Sequence, residues 1–569
     1  SGADMPRSEG SAEGFRWGRR TVQNRVWSLA SAERMRALDR YTIEEWGIPG
    51  ALLMESAGRA LVEFVLERAG ALLALPDAET VVVCGRGNNG GDGFVVARHL
   101  ALLGFSTRAV LLGDPAGLAG DAAANYRRAR AVGVSVDSAW PLARPLPRRG
   151  VVVDALYGTG LNRAIGGDSA ELIECINELA SASEVMVIAA DLPSGLDADT
   201  GQPFDHAVRA DATLALGSPK IGLTLEPGRS LAGSVVTARI GIAEVIEGEE
   251  PTQGAEAASL WSRRGASDAL PRRGPGSHKG SFGHILVVGG ARGMSGAPSL
   301  AANAALRSGA GLVTIACPRE LNDVVEAQCT EAMTAPLPGT LSGGLALSGL
   351  AEARVLASER DVVAIGPGAG RDPETQTLLR ELAEELDLPL VIDADGLNAF
   401  EGCPERLKAR SAWTLLTPHP GEAGRLLGRS AAQVNRDRVG AARELARITG
   451  AVVLLKGAGS ISASPDGRVI VNPTGGPNLA TGGSGDVLTG LVAALVAQGL
   501  EALPAAALGA YVHGLAGDRI ALRRGDAGLL AGELADELPG TMQELREEGR
   551  KGAESKGDRL STLLPFPGA

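Results

Sequence analysis

The stretch Thr80-Val81-Val82-Val83-Cys84-Gly85-Arg86-Gly87-Asn88-Asn89-Gly90-Gly91-Asp92-Gly93-Phe94 decides the fold of the first half of the chain. Residues 80–84 form a short apolar run rich in β-branched side chains, the composition of a buried strand, and 94–103 reads as a helix. A strand, a glycine turn and a helix in that order present backbone N–H groups to an anion, and the helix dipole adds attraction. Gly85-x-Gly87-x-x-Gly90 has the dinucleotide-binding spacing, which tight turns also produce. Polar content sharpens the reading. Asn88, Asn89 and Asp92 stand in the expected loop, where an ordinary dehydrogenase has small apolar residues. A helix-capping role explains Asp92 alone, but two Asn and an Asp among these glycines point to ligand and cation contacts.

Working outward, strand-like runs at 109–112, 151–154, 185–190 and 213–216 alternate with helical stretches, the pattern of a parallel sheet covered on both faces. Met35, Leu38 and Ile43 share one helix face before it. A composition break follows Ile242, and the acidic, then Gly- and Ser-containing segment up to Gly265 reads as an interdomain linker. The alternation restarts at 284–288, 312–316, 362–365, 390–392, 414–416 and 452–455. The expected division is a flexible tail at 1–27, one α/β domain at 28–247, a linker at 248–260, a second α/β domain at 261–533 and a helical or disordered tail at 534–569.

Composition limits the function classes. The 569 residues exceed one ordinary core, and 44% hydrophobic with 21% charged residues is the balance of a globular protein. A net charge of −12 gives no general attraction to nucleic acid or anionic lipid, so any phosphate must be held by local devices. The five cysteines are scattered and form no C-x-x-C pair, which argues against a disulfide framework or structural zinc. The first thirty residues show no apolar core of a secretory signal. The 487–500 run contains Gly, Thr and Gln and reads as a buried helix rather than a membrane span. The expectation is a cytoplasmic homo-oligomer with no nucleic-acid or membrane partner.

Two more polar strand ends lie where open α/β sheets place ligands. Asp154 closes the first and leads to Gly158-Thr159-Gly160-Leu161-Asn162-Arg163-Ala164; Asp191 closes the second and leads to Ser194 and Asp197. The strings NNGGDG, VDALYGTGL, DLPSGLD and GSPKIGLTLEPG, in that order over about 28–247, resemble the epimerase domain of NAD(P)H-hydrate repair enzymes, a Rossmann-like domain. The resemblance implies a potassium ion on the oxygens of Asn89, Asp154 and Ser194. It also implies ligand contact by Asn88, Asn89, Gly90, Gly91 and Asp92, by the 158–164 loop and by Asp191. The implied task is to interconvert R and S hydrates of NADH and NADPH at C6 of the nicotinamide ring. One carboxyl that protonates the departing hydroxyl and later accepts a proton suffices; Asp191 is chosen for it, with Thr159 as a helper.

In the second half, Gly289–Gly296, Gly366–Gly370, Thr417–Glu422, Lys456–Ser460 and Thr481–Asp486 each begin at the end of a strand or the start of a helix. Five such loops imply an extended ligand with several anionic groups. Gly483, Ser484 and Gly485 can form an anion hole at a helix N-terminus, and Asp486 can accept a proton from a hydroxyl attacking phosphorus. The plain alternative for Asp486 is a first-turn helix residue. No Gly-Lys dipeptide occurs, which excludes a Walker A loop. The strings HKGSFGHILVVGG, GMSGAPSLAANAALRSGAGLV, IGPGAG, VIDADGLNAF, TPHPGEAGRLLG, LLKGAGSI and NPTGGPNLATGGSGDVLTG, over about 261–533, are similar to the ribokinase-like dehydratase domain of the same repair enzymes. The similarity implies that Ala297, Gly370, His419 and Asp486 touch the hydrated coenzyme, and that Lys456, Gly457, Ala458, Gly459, Ser460 and Gly485 touch ADP or ATP with Mg2+. Many relatives have Thr where this chain has Ser460. The expected reaction is phosphorylation of the C6 hydroxyl of the S hydrate, followed by loss of phosphate. Two rivals stand beside it: a ribokinase-like small-molecule kinase fused to a nucleotide-sensing domain, and a non-enzymatic binding protein. The TPHPGE and HKGSFGH strings favour the dehydratase over the first; intact Asp154, Asp191 and Asp486 weigh against the second.

Overall fold

The computed structural model describes residues 26–138, 140–182, 184–246, 258–552 and 563–565. Residues 1–25 of the expected N-terminal tail, most of the expected linker, and residues 553–562 and 566–569 of the expected C-terminal tail lie outside the described residues.

Alternating apolar residues build both sheets. In Glu79–Cys84, Val82 and Cys84 enter one core layer while Val81 and Val83 enter the layer on the opposite face. In His284–Val288, Ile285 and Val287 face one layer and Leu286 and Val288 the other. A strand buried on both faces has to be apolar throughout and needs helices above and below it. The first sheet has eight strands, in the order Leu563–Pro565, Ser234–Ala238, Ala212–Leu216, Glu184–Ala190, Arg149–Ala155, Glu79–Cys84, Thr107–Leu111 and Ser135–Asp137. All its pairs are parallel except the one made by Leu563–Pro565. The second sheet has eleven strands, and its six expected strands all lie in its parallel part.

Several boundaries differ from expectation. Val26–Leu29, read as the end of the tail and the start of the first domain, forms an antiparallel edge strand of the second sheet on Ala258–Trp261. Ala258–Trp261, read as linker, in turn pairs with Val469–Val471. Leu563–Pro565 crosses the other way, onto Ser234–Ala238 of the first sheet. Each half therefore covers an open edge of its sheet with a strand from the other end of the chain, satisfying backbone groups that would otherwise stay unpaired. These strands carry little pattern of their own, which is why alternation missed them. The charged stretch after Glu533 belongs to the helix Ala531–Gly552, whose Leu534, Leu538 and Leu545 are buried in the second domain.

The halves also touch near the candidate sites. A methyl group built on Gly459 would lie 2.9 Å from the Thr224 carbonyl oxygen, and the Gln202 side chain donates to the Asn435 carbonyl at 3.4 Å.

Candidate active sites

The helix after the first strand begins at Asn88 and runs to Leu102, six residues earlier than its apolar content suggested. Asn88, Asn89 and Asp92 thus sit in its first turns rather than in a loop. Close packing requires the glycines: a methyl on Gly85 would lie 1.9 Å from the Leu156 carbonyl oxygen, and one on Gly90 at 1.9 Å from the Gly85 carbonyl oxygen.

These turns border a cavity of about 910 Å³ at the C-terminal ends of the first sheet's strands. Asn88, Asn89 and Asp92 line it, facing Gly158, Thr159, Gly160, Leu161 and Arg163 from the loop after Arg149–Ala155. Asp191 closes the floor. Gly90 and Gly91 turn inward instead, Gly91 against the Met54 thioether, and Asn162 and Ala164 are exposed beside the wall. Met35 and Ile43, read as part of a core face, line the cavity together with Asp39.

Asp191 follows the strand Glu184–Ala190 with φ +73°, a left-handed conformation rare outside glycine. Its Oδ1 accepts from the Leu216 N–H at 3.0 Å and from the Lys220 ammonium, which also donates to the Leu216 carbonyl at 2.9 Å. Lys220 was not singled out from sequence, although it stands in the quoted GSPKIG string. Burial pushes the Asp92 carboxyl well above the usual range; Asp191 and Asp39 add to the rise and Lys220 opposes it.

Behind the wall, Asp154 is fully buried. It accepts from the Ser194 N–H at 2.7 Å, the Ser194 hydroxyl at 2.5 Å and the Leu156 N–H at 3.3 Å. Burial raises its carboxyl to about 6 against those bonds. The Asn89 side-chain nitrogen is buried without a hydrogen-bond partner among the described residues. The Asn89 side chain lies beside Gly158, in the loop that leaves Asp154: a methyl there would be 3.3 Å from the Asn89 Cβ.

In the second domain, Lys456 ends the strand Val452–Leu455 and donates to Asp393 Oδ1 at 2.7 Å. Thr489 donates to Asp393 Oδ2 at 2.7 Å. Burial alone would lower the Lys456 ammonium, but Asp393 and then Glu422 hold it above its usual range. A methyl on Gly485 would lie 3.3 Å from Lys456 Nζ, so the lysine stands against the first turn of the helix Ser484–Ala497. Gly483, at φ +88°, turns the chain into that helix. The buried Arg438 guanidinium steadies the loop after the strand Val452–Leu455, donating to the carbonyls of Ala458, Lys456 and Leu455.

Asp486, in that first helical turn, is pushed up to about 7 by burial and by Asp393, with Lys456 opposing and Asp395 and Glu422 adding. Asp395 accepts from the Gly370 N–H at 2.8 Å, and a methyl on Gly368 would lie 2.9 Å from the Ala297 Cβ, which brings that loop and the helix Gly296–Arg307 together. The His419 ring nitrogen Nδ1 caps its own helix, accepting from Gly421 and Glu422 N–H groups, while burial, Lys456 and Arg425 lower its pKa. The sequence reading passed over Asp393, Glu422, Thr489 and His513. Asp393 carried the signal already used for Asp154 and Asp191, a carboxylate at a strand end. His513 carried none: it lies in the middle of the helix Ala502–Arg524, and only the fold brings its Nε2 to donate to the Ser484 carbonyl at 2.9 Å.

Two family descriptions match the chain: a YjeF-related protein N-terminus over residues 50–222 and NAD(P)H-hydrate dehydratase over residues 285–540. The bifunctional NAD(P)H-hydrate repair enzyme Nnr of Moorella thermoacetica is 43% identical over 526 residues, 91% of this chain and 97% of that protein. The chain belongs to the bifunctional NAD(P)H-hydrate repair enzymes. The member from Escherichia coli K12 is 33% identical over 91% of this chain and 94% of its own length. A solved structure, the ADP/ATP-dependent NAD(P)H-hydrate dehydratase of Bacillus subtilis co-crystallized with ATP/Mg2+, is 29% identical, covers 50% of this chain and 98% of its own, and has a TM-score of 0.43. In this family the fused halves are an epimerase and a dehydratase, so the chain is an enzyme of two activities and not a kinase fused to a sensor.

Proposed function

We propose that the cavity of the first domain is the epimerase site and that the cluster around Lys456 and Asp486 is the dehydratase site. The observation that carries the first assignment is a wide cavity whose floor is a carboxylate in left-handed backbone, Asp191, held from behind by a buried lysine. Such a carboxylate can move a proton at C6 of a hydrated nicotinamide ring bound above it. The helix start at Asn88–Asp92 and the 158–163 loop flank it and suit the coenzyme's phosphates and ribose.

Potassium belongs beside this wall. The Asp154 carboxylate, the Ser194 hydroxyl and the Tyr157 carbonyl converge within hydrogen-bond distance, all hard oxygens. The Asn89 amide is buried beside Gly158 of the same loop with an unsatisfied nitrogen, and the opposite amide orientation would present its oxygen instead. A cation there relieves the cost of burying Asp154 and offsets the coenzyme's negative charge.

In the second domain Lys456 and the N–H groups of Gly483–Gly485 receive the transferring phosphate, and Asp486 takes the proton of the C6 hydroxyl as its oxygen attacks phosphorus. Loss of that phosphate then restores the reduced ring. Among the described residues no three His, Cys, Asp or Glu side chains converge on a metal position. Magnesium accordingly fits as an ion carried on the nucleotide's phosphates, holding its own waters.

The test is a mixed R and S hydrate preparation with ADP or with ATP, followed by the absorbance of the reduced nicotinamide. Full recovery is expected in potassium, and recovery of the S half alone when choline replaces potassium. No recovery with either nucleotide removes the dehydratase assignment; recovery limited to the S hydrate in potassium removes the epimerase assignment.

A further inference from the structure

A single carboxyl can serve both halves of epimerisation, yet the first cavity holds a second one that such a scheme leaves idle. Asp92, from the helix Asn88–Leu102, lines the same cavity as Asp191. Their partners differ. Asp191 Oδ1 carries two donors, the Leu216 N–H and the fully buried Lys220 ammonium. Among the described residues no cation pairs with Asp92, whose carboxyl is pushed well above the usual range by burial and by its acidic neighbours Asp191 and Asp39. Two carboxyls in one site whose surroundings drive them apart form the pattern of an acid and a base.

We propose that Lys220 is a positioning residue for epimerisation, holding Asp191 in place as base opposite Asp92 as acid in one direction, the two roles exchanging in the reverse direction. The proposal rests on the epimerase reading of this cavity. The C6 hydroxyl takes the Asp92 proton and leaves as water with the C–O electron pair, while the N1 lone pair closes the C6–N1 bond to an iminium. Water then adds to the opposite face of C6, the C–N π pair returns to N1, and the proton of the added water passes to Asp191. One water leaves and one enters; Asp92 has lost a proton and Asp191 has gained one, and exchange with solvent resets the pair. Removing the buried ammonium takes away one of the two donors that fix Asp191 Oδ1 and leaves the carboxylate free to turn. Lys220 bonds Asp191 and Asp92 interacts with it; Asp39, Arg36, Arg86, Arg163, Asp121 and Asp168 complete the charged wall of the cavity.

The experiment follows interconversion of R and S hydrates by chromatography, without nucleotide and in potassium, across pH. Lys220→Met should lower kcat by roughly 10²-fold with little change in KM. Asp92→Asn should remove the alkaline limb. Lys220→Met combined with Asp191→Asn should be no slower than Asp191→Asn alone, because a residue that acts through another adds nothing once that other is gone. Dehydration of the S hydrate by Lys220→Met should be unchanged, which shows that the variant folds. A Lys220→Met enzyme with normal kcat, or an additive double variant, overturns the proposal. If Lys220→Met also loses dehydration, an alkaline limb retained in Asp92→Asn overturns it instead. Normal epimerisation by Asp191→Asn is a different result: it refutes the reading of Asp191 itself.

Discussion

Each half of the molecule is built around a lysine–aspartate pair, and the two pairs face opposite ways. In the first domain Lys220 is 1% exposed and Asp191 14%; in the second, Lys456 is 18% exposed and Asp393 2%. The first site shows its carboxylate to the ligand with the lysine behind it. The second shows its lysine, backed by a carboxylate that Thr489 also holds. The chemistry accounts for the reversal. Epimerisation at C6 needs a group that moves protons, and phosphoryl transfer needs a cation and N–H donors where negative charge gathers. Beside each pair stands a carboxyl pushed up by burial, Asp92 in one site and Asp486 in the other. On the proposed assignments, one pairing, turned round, serves two reactions in one chain.

The largest expected effect tests the second member of the comparison. Asp486→Asn should slow dehydration of the S hydrate by about 10²–10⁴-fold, the usual cost of losing a general base, while epimerisation and nucleotide affinity by calorimetry stay near normal. Near-normal dehydration would give the proton to another acceptor, such as the phosphate itself.

Next comes the backing carboxylate. Lys456→Met strips the cation from buried Asp393, and breaking a buried pair from one side costs about 3–5 kcal/mol. Thermal unfolding of the second domain should fall accordingly and recover when Asp393→Asn is added. Equal melting of single and double variants would mean that Thr489 and nearby water satisfy Asp393 without the lysine.

A smaller effect concerns the crossing strands. Removing residues 1–30 should destabilise the second domain more than the first, because Leu29 is buried in the second domain's core layer and Val26–Leu29 covers that domain's sheet edge. Losing the burial of one leucine costs roughly 1.5–3 kcal/mol. The sequence division suggested halves that separate cleanly between 247 and 258. The structure instead predicts that a second half starting at Ala258 melts below the full chain, and an equal melting temperature would restore the simple division.

The smallest effect is in pH. With Asp486 raised to about 7, the base form is lost as pH falls through 7, and dehydration should decline by about tenfold per unit below it. In Asp486→Asn that slope should vanish from the residual rate. A wild-type rate that stays flat down to pH 5 would place the working proton elsewhere.

Sequence by itself determined the two α/β units, eleven of their strands and the glycine turns at their ends, because a strand buried on both faces must be apolar throughout and a glycine turn at its end is hard to hide. It also picked out Asp154, Asp191 and Asp486, since a carboxylate at a strand end or in the first turn of a glycine-led helix is visible in a single line of residues. It misjudged the start of the helix at Asn88, where glycines and amides mask helical backbone. Only the tertiary structure decided which groups meet: Lys220 on Asp191, Asp393 behind Lys456, His513 on Ser484 and Val26–Leu29 on the far domain. The physical reason is separation along the chain. Asp393 and Lys456 stand 63 residues apart and Val26 pairs with Trp261, so no local pattern records their contact, while burial turns each meeting into a strong electrostatic or hydrogen-bonding constraint.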